Sequence, residues 1–231
     1  MSGQAERREK ALRVHRLLLA EYGEPVWRPH RPPLEELVLT ILSQNTSDVN
    51  SSRAYEELRA RYPTWEEVLA ADTAELAATI RAGGLGRTKA PRIQKVLRRI
   101  LVERGALSLD FLAEMDTEAA RRWLLSLEGV GPKTAAIVLL FALGRPAFPV
   151  DTHVHRVARR LGLAPWEATP EEVEALAEQT LPPEVFYAFH LNLIAHGRRV
   201  CKALAPRCDL CILRAECDWY RREAPPGERV E

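Results

Sequence analysis

Apolar residues recur along most of this chain at the three- and four-residue spacing of amphipathic helices. The spacing is clear in the stretches "REKALRVHRLLLAEYG", "LEELVLTIL", "RIQKVLRRILVERG" and "EEVEALAEQTL". It places the apolar side chains of each stretch on one face of a helix. Alternating patterns typical of strands are nearly missing from the sequence. The pattern therefore predicts an all-α protein built from many short helices.

Capping signals divide this helical pattern into separate elements. Thr64–Glu67 and Asp72–Glu75 have the form of capping boxes, and Thr169–Glu172 adds a proline at the first helical position. The Gly/Pro-rich link Gly144–Pro149 then separates a continuous helical series from a second helical group. We therefore expect two domains, one spanning 34–145 and a discontinuous one formed by 1–33 and 146–231.

Composition adds little until the positions of the charges are considered. The 231 residues carry a formal net charge of +1, so the overall charge does not indicate a nucleic-acid partner. Between Arg81 and Glu103, however, seven basic residues face one acid. A second basic cluster comprises Arg198, Arg199, Lys202, Arg207 and Arg214. Each cluster alone is typical of a solvated helix face, but the two together favour a polyanionic partner.

Targeting signals and cysteine usage bear on the cellular location. The charged N-terminus has no signal-peptide pattern, and the apolar run Ala135–Leu143 is too short to span a bilayer. All four cysteines lie in one short C-terminal stretch. This usage is typical of a local metal site in a reducing compartment. We expect a cytoplasmic, nucleoid-associated monomer that does not interact with membranes.

The stretch "LEGVGPKTA", Leu127–Ala135, has the composition of a tight turn between two helices. Gly129 and Gly131 permit a positive φ and a close approach of the backbone, and Pro132 fits the first turn of a helix. Amide groups of such a turn point outward and can hold a DNA phosphate without reading the bases. The stretch therefore predicts a helix–hairpin–helix.

Lys133 follows this turn, in the first turn of an apolar helix, where the helix dipole disfavours positive charge. One interpretation is a phosphate contact or an ordinary exposed lysine. The other is an amine nucleophile, because the dipole and desolvation against an apolar wall both favour the reactive neutral form. Such a lysine needs a carboxylate nearby, and Asp151 in "FPVDTHVHRV" is a candidate whose alternative role is to cap the next helix.

These motifs together resemble the helix–hairpin–helix–GPD superfamily of DNA glycosylases, and within it the endonuclease III family. The resemblance extends from about Leu34 to Cys217. It implies a six-helix barrel with the hairpin, a second helical domain, and a DNA-binding groove between the two. It also implies that Lys133 is the Schiff-base lysine and Asp151 the essential aspartate. Adenine-specific members carry a catalytic glutamate where this chain has Thr40, which argues against adenine excision.

The four cysteines have the spacing Cys201-x6-Cys208-x2-Cys211-x5-Cys217. Four thiols this close are expected to share one metal centre, and spacing alone does not separate tetrahedral zinc from an iron–sulfur cluster. The spacing resembles that of the endonuclease III family, which implies a 4Fe–4S cluster with an architectural role. The loop between the first two cysteines then presents Lys202 and Arg207 to the DNA backbone.

Two further segments resemble the residues with which the family opens the duplex, because an enzyme acting on a base in DNA must rotate it out of the stack. The loop "GGLGRTKA" implies that Leu85 is the apolar intercalating residue, the alternative being an ordinary loop leucine. In "LSQNTSD", Asn45 aligns with the usual glutamine of the family, and Gln44 stands one residue earlier. Either of them can fill the gap. Asp48 matches a pocket-lining acid, or it caps a helix.

The resemblance implies a base-excision glycosylase with abasic-site lyase activity. Its expected partner is double-stranded DNA containing oxidised pyrimidines such as thymine glycol, or abasic sites. Two alternatives remain open at this point. One is a glycosylase for mismatched thymine or uracil, which would have the same catalytic residues. The other is a non-catalytic DNA-binding module that uses the hairpin only for docking.

Overall fold

The computed structural model describes residues 2–223, and within that range the regular structure is entirely helical. The prediction of an all-α fold is confirmed. The described chain divides into two compact units. The first holds the residues up to Arg28 and those from Pro146 onwards, and the second runs from Pro29 to Arg145. Residues 224–231, which we assigned to the C-terminal part of the discontinuous domain, lie outside the described range.

The Pro29–Arg145 unit is built from the helices α2 to α8. Their bounds are Pro33–Ser43 (α2), Asp48–Arg61 (α3), Trp65–Ala70 (α4), Thr73–Thr79 (α5), Gly86–Arg104 (α6), Thr117–Leu125 (α7) and Pro132–Ile137 (α8). Helix α2 packs against α3, α6 and α8, and α6 packs against α4 and α5. The core of the unit is formed by the apolar faces of α2 and α6, whose leucine, isoleucine and valine side chains are almost fully buried.

The other unit contains α1 and the C-terminal helices. Their bounds are Ser2–Tyr22 (α1), Thr152–Leu161 (α9), Pro170–Thr180 (α10), Phe186–Arg199 (α11) and Asp218–Glu223 (α12). Helix α1 packs on α10 and α11, and α9 packs on α11 and α12. The sequence alone did not indicate which group α1 joins. In the buried core of this unit, the ring of Phe148 packs edge-to-face on Phe186 and at a tilt against Phe189.

The predicted capping boxes are confirmed at two of three places. Thr64 with Glu67, and Thr169 with Glu172, form both reciprocal hydrogen bonds. Asp72 caps α5 through Oδ1, but the carboxylate of Glu75 pairs with Arg61 at 2.9 Å, where a capping box would direct it to the amide of Asp72. No helix within residues 2–223 is both long enough and apolar enough to cross a membrane.

Candidate functional site

The predicted turn between α7 and α8 is present and is anchored by two buried side chains, Leu127 and Val130. Gly129 has φ +81°, and a Cβ atom there would lie 2.4 Å from Nε of Arg92. Gly131 is extended, with φ −94° and ψ 178°, and a Cβ atom there would meet nothing within 4 Å. The turn is therefore closed at Gly129 by the Arg92 side chain and open at Gly131.

Lys133 lies in the first turn of α8, where its side chain is exposed, while the next three residues are buried. The helix N-terminus predicted from the sequence is confirmed, with Pro132 at its first position. The apolar wall that we expected around the amine is not found, because the residue is exposed. The helix continues beyond Ile137 as a π-helical segment, Val138–Ala142, which sequence reasoning did not predict. Such segments are rare and are often found at functional sites.

Asp151 lies in the other unit, at the N-terminus of α9, and is half-buried. Its Oδ1 accepts hydrogen bonds from the backbone amides of His153 at 2.9 Å and Val154 at 2.7 Å. The capping role that we considered as its alternative is therefore real. The same two bonds fix the orientation of the carboxylate, so capping does not conflict with a role in the chemistry of the site.

The segment after α2 distinguishes Gln44 from Asn45. Oε1 of Gln44 accepts a hydrogen bond from Arg92 at 2.8 Å, and its Nε2 lies 3.5 Å from the carbonyl of Gly129 and from Oγ1 of Thr134. Asn45 is exposed and has φ +55°, in the left-handed region. The Gln44 side chain is thus bound to the hairpin turn, whereas the Asn45 side chain projects from a strained backbone.

Leu85 has the same unusual combination of features. It is 56 % exposed and has φ +52° at the residue before α6. Within the described residues, Leu85 and Asn45 are the non-glycine residues with positive φ. An exposed leucine in this conformation gains neither burial nor favourable backbone geometry. Exposure together with a positive φ occurs at Asn45 and at Leu85, two positions that the sequence singled out. This coincidence favours a function over an ordinary loop role.

Asp48 is the first residue of α3 and is exposed. The alternative that it caps this helix is wrong, because the cap is Ser47, whose hydroxyl accepts a bond from the amide of Asn50 at 3.3 Å. Asp48 carries negative charge in the first turn, where the helix dipole favours it. Its role as a pocket-lining acid stays a prediction.

Lys89 is a residue whose place sequence reasoning missed, since it was counted in a basic cluster typical of a solvated face. The structure buries it to 1 % exposure, and its Nζ donates to the carbonyls of Leu42 at 2.6 Å and Gly83 at 2.8 Å. Burial lowers the pKa of Lys89, and the nearby positive charge of Arg92 adds to the effect. Its helical spacing from the buried Ile93 was the available signal.

The four cysteines line one cavity in the unit that contains α9 and α11. Cys217 is buried, and Cys201, Cys208 and Cys211 are half-buried. Within residues 2–223, no three His, Cys, Asp or Glu side chains are gathered closely enough to hold a single metal ion. The four thiols border a shared space, and an iron–sulfur cluster is bound by such a set of four thiolates. The donor set and its placement therefore fit a 4Fe–4S group.

Two buried polar side chains support this cavity. Nη1 of Arg160 donates to Sγ of Cys201 at 3.4 Å, and its two outer nitrogens hold the carbonyls of Lys202 and Ala203. Nε2 of His196 lies 3.5 Å from Sγ of Cys211, and its Nδ1 lies 3.0 Å from the hydroxyl of Tyr22. Burial lowers the pKa of His196 to about 4 and raises that of the Cys211 thiol to about 12. The lowered pKa favours the neutral ring, in which one nitrogen donates a hydrogen bond and the other accepts one.

The loop that joins the first two cysteines carries exposed basic side chains. Lys202 and Arg207 are both exposed, and the amides of both donate to the carbonyl of Val200, at 2.8 Å and 3.0 Å. These bonds, with those from Arg160, fix the loop on its own unit. It presents two cations on a rigid support, which suits contact with a phosphate backbone.

Comparisons with known proteins agree with this geometry. Residues 38–183 match the family described as HhH-GPD superfamily base excision DNA repair protein. Endonuclease III of Thermotoga maritima is 38 % identical over 190 residues, covering 82 % of this chain and 84 % of that protein. A non-covalent endonuclease III–DNA complex superposes with a TM-score of 0.81 at 31 % identity, covering 93 % of this chain and 97 % of the other. A trapped endonuclease III–DNA covalent intermediate gives 0.79 at the same identity and coverage.

Proposed function

The chain belongs to the HhH-GPD superfamily of base excision DNA repair proteins, and we propose that it excises oxidised pyrimidines and then cleaves the strand as an abasic-site lyase. It is a DNA glycosylase of the endonuclease III kind acting on damaged DNA. The observation that carries the lyase proposal is the amine of Lys133 in the first turn of α8, beside an open hairpin turn. An endonuclease III has also been trapped in a covalent intermediate with DNA.

In the proposed reaction, Nζ of Lys133 attacks C1′ of the flipped nucleotide and gives up a proton as the N–C1′ bond forms. The bond from C1′ to the base breaks, the base leaves with the electron pair and takes up a proton, and ring opening gives an iminium ion on Nζ. Loss of a proton from C2′ then expels the 3′ phosphate by β-elimination. Asp151, held in place by two amide bonds, supplies negative charge to the cationic intermediates and accepts or returns protons.

We propose that Leu85 and Asn45 are the residues that enter the duplex, and that Gln44 positions the hairpin. Two exposed side chains on strained, left-handed backbone support the first assignment. The three polar contacts of Gln44 with Arg92, Gly129 and Thr134 support the second, since a side chain bound in this way is not available to fill a gap.

The grip on the DNA backbone comes from both units. The amides of Gly129 and Gly131 face a phosphate at the open turn, and the exposed Lys202 and Arg207 contact phosphates beside the cysteine loop. The cavity lined by Cys201, Cys208, Cys211 and Cys217 would hold a 4Fe–4S cluster. When bound, this cluster cross-links the C-terminal loops and so fixes the basic loop. Chemical analysis that finds equal amounts of iron and acid-labile sulfide is expected, and stoichiometric zinc would refute the assignment.

The decisive experiment is borohydride trapping on duplexes that contain thymine glycol, uracil or an abasic site. We expect a covalent adduct with thymine glycol and with the abasic site for the wild-type chain. Lys133→Arg keeps the positive charge and the phosphate contact but is not able to form the Schiff base, so it should bind DNA and give no adduct. If Lys133→Arg retains strand cleavage, Lys133 is a phosphate contact and the lyase proposal is wrong.

The same substrates separate the remaining alternatives. Efficient excision of uracil or mismatched thymine with no attack on thymine glycol would transfer the chain to that class of glycosylase. A non-catalytic module would bind all three duplexes and change none of them. The enzymes named among its relatives favour catalysis over that last possibility.

A further inference from the structure

Two carbonyl groups that end helical segments converge on one buried ammonium group. Leu42 lies in the last turn of α2, and Gly83 ends the 3₁₀ turn Arg81–Gly83. Nζ of Lys89 donates to both carbonyls, at 2.6 Å and 2.8 Å. Carbonyls at helix C-termini have no partner within the helix, and a cation is favoured there by the dipole. The single side chain of Lys89 thus supplies hydrogen-bond donors to the terminal carbonyls of two helical segments.

These two carbonyls stand just before the two residues proposed to enter the duplex. Leu42 precedes Asn45 by three residues, and Gly83 precedes Leu85 by two. The two segments lie close together, since a Cβ atom on Gly83 would be at van der Waals distance, 3.5 Å, from the Leu42 carbonyl oxygen, and 3.1 Å from Cβ of Ala54. The spacing between the two segments is therefore set by the Lys89 bonds, and Gly83 also packs closely on α3 at Ala54.

The burial of position 89, taken without the two carbonyls, would favour an apolar residue there. The buried face of α6 continues from Lys89 through Ile93, Val96 and Ile100, all almost fully buried. Burying an ammonium group costs free energy, as the lowered pKa of Lys89 reflects. This unfavourable burial occurs next to Asn45 and Leu85, two residues with left-handed backbone that are proposed to enter the duplex together.

We propose that Lys89 is a positioning residue for base extrusion, which holds the segments of Asn45 and Leu85 at one fixed spacing so that both enter the duplex in a single step. The inference rests on the proposed function of those two residues. Lys89 touches neither the substrate nor the reacting atoms. Its effect is on the rotation of the nucleotide out of the stack, and the chemistry at Lys133 is unchanged.

The test compares Lys89→Met with a matched variant on the same helix. Gln94 is also buried, and its Nε2 donates to the carbonyls of Val68 at 3.2 Å and Ala71 at 2.7 Å. Gln94→Met therefore removes a donor from two carbonyls at the C-terminal end of α4 and an acceptor from the Thr73 hydroxyl, away from the residues proposed to enter the duplex. Thermal midpoints of both variants show how much stability each loses.

Single-turnover excision is measured on two duplexes for each protein. In one, thymine glycol is paired with adenine, and in the other it lies opposite an abasic analogue, where extrusion is already easy. Lys89→Met is expected to lose roughly tenfold or more in excision rate on the paired lesion, because misplaced Asn45 and Leu85 side chains slow extrusion, and displacements of about 1 Å have effects of this size or larger. On the second duplex it should stay within about twofold of wild type. The excision rate of Gln94→Met should change by the same small factor on both duplexes.

A spectroscopic readout follows the extrusion step itself. With 2-aminopurine opposite the lesion, wild-type protein should raise the fluorescence as the stack opens, and Lys89→Met should raise it more slowly. Equal losses of Lys89→Met on the two duplexes, with unchanged fluorescence kinetics, would overturn the proposal. Excision by the wild-type chain on neither duplex would overturn the proposed function and this inference with it.

A second variant settles the matter if Lys89→Met does not fold. Gly83→Ala keeps the lysine but places a Cβ atom 3.1 Å from Cβ of Ala54 in α3, which is closer than ordinary van der Waals contact, so the Gly83 segment must shift while the Lys89 bonds remain. It should show the same dependence on the opposite base. A uniform loss of activity on both duplexes would count against a positioning role.

Discussion

Leu85 combines an exposed apolar side chain with a backbone conformation that costs roughly 1–2 kcal/mol for a non-glycine residue. Leu85→Gly removes this strain at the price of about 0.5–1 kcal/mol in unfolded-state entropy, so stability should be unchanged or slightly raised. Excision from a paired duplex should fall, because nothing fills the stack. Thermal unfolding and single-turnover assays measure the two effects.

The matched variant at this position is Leu85→Ala. It removes the side chain and keeps the strained φ, so excision should fall as in Leu85→Gly without the gain in stability. If Leu85→Ala excises thymine glycol from a paired duplex at the wild-type rate, Leu85 does not enter the stack.

Glu36 is a second residue with an unfavourable placement, since it is 6 % exposed and its Oε2 has no hydrogen-bond partner. Burial raises its pKa above the usual 4.5, and Arg31 offsets this only in part. The folded state therefore binds a proton more tightly than the unfolded state does. The contribution of Glu36 to stability is most favourable below pH 4.5 and is lost as the pH rises through the raised folded-state pKa.

Glu36→Leu should therefore stabilise the protein at pH 8 by about 1–3 kcal/mol, the cost of burying a polar group without a partner. The gain should shrink as the pH is lowered through the raised folded-state pKa and should reach its minimum below about 4.5, where the carboxyl is protonated in both states. Urea unfolding at several pH values measures it. Glu56→Leu, at an exposed site of the same unit, serves as the control. A gain independent of pH would show that packing, and not charge burial, is responsible.

At the residue scale, the sequences around Leu85 and Lys133 were enough to single them out as candidate functional residues. Which of Gln44 and Asn45 is free to fill the gap in the duplex could be judged only from the structure. The two amides differ by one position, and only the bonds of Gln44 to Arg92 and the hairpin separate them. Lys89 was misread because charge is a weaker guide to exposure than helical spacing is. A lysine in register with Ile93 lies on the buried face of α6 whatever its charge.

The two glycines of the hairpin turn differ in the room they leave for a side chain, which is open at Gly131 and occupied at Gly129. Gly131→Ala should leave the stability unchanged within about 0.5 kcal/mol, because its Cβ atom meets nothing within 4 Å and its φ is ordinary. The same Cβ atom projects from the open side of the turn, where we place the DNA phosphate. Binding to duplex DNA, measured by fluorescence anisotropy, should therefore weaken severalfold.

Gly129→Ala is the contrasting variant in the same turn. Its φ of +81° and the Arg92 side chain 2.4 Å from the new Cβ atom make it destabilising by roughly 1–3 kcal/mol. If Gly131→Ala binds DNA as the wild type does, the open side of the turn does not hold a phosphate.

At the element scale, the hairpin could be read from the sequence because glycine and proline act locally. Pro132 at the first position of α8 and the buried Leu127 and Val130 require only neighbouring residues. The π-helical segment Val138–Ala142 was not predictable in the same way, since its apolar sequence suits an α-helix equally well. The capping box predicted for Asp72–Glu75 is not formed, because Arg61, which lies in α3 and is distant in sequence, pairs with the Glu75 carboxylate.

At the scale of the whole molecule, DNA binding depends more on where the charges lie than on the net charge. The formal net charge is +1, yet Lys202 and Arg207 stand exposed on one loop. On α6, Lys95 is paired with Glu128 and Arg99 with Glu103, so part of the basic cluster there is neutralised within the protein. The number of phosphates contacted is therefore smaller than the number of basic residues in the two clusters.

The salt dependence of DNA binding measures that number directly. Each phosphate contact adds about −0.9 to the slope of log K against log salt concentration for duplex DNA. Lys202→Ala combined with Arg207→Ala should thus reduce the slope by about 2 and weaken binding equally on damaged and undamaged duplexes. Asn45→Ala should leave the slope unchanged and weaken binding only where a lesion is extruded, if Asn45 enters the base stack as proposed and contacts no phosphate. A double variant with the wild-type slope would show that the cysteine loop does not touch the backbone, and the cluster would then have no part in DNA binding through this loop.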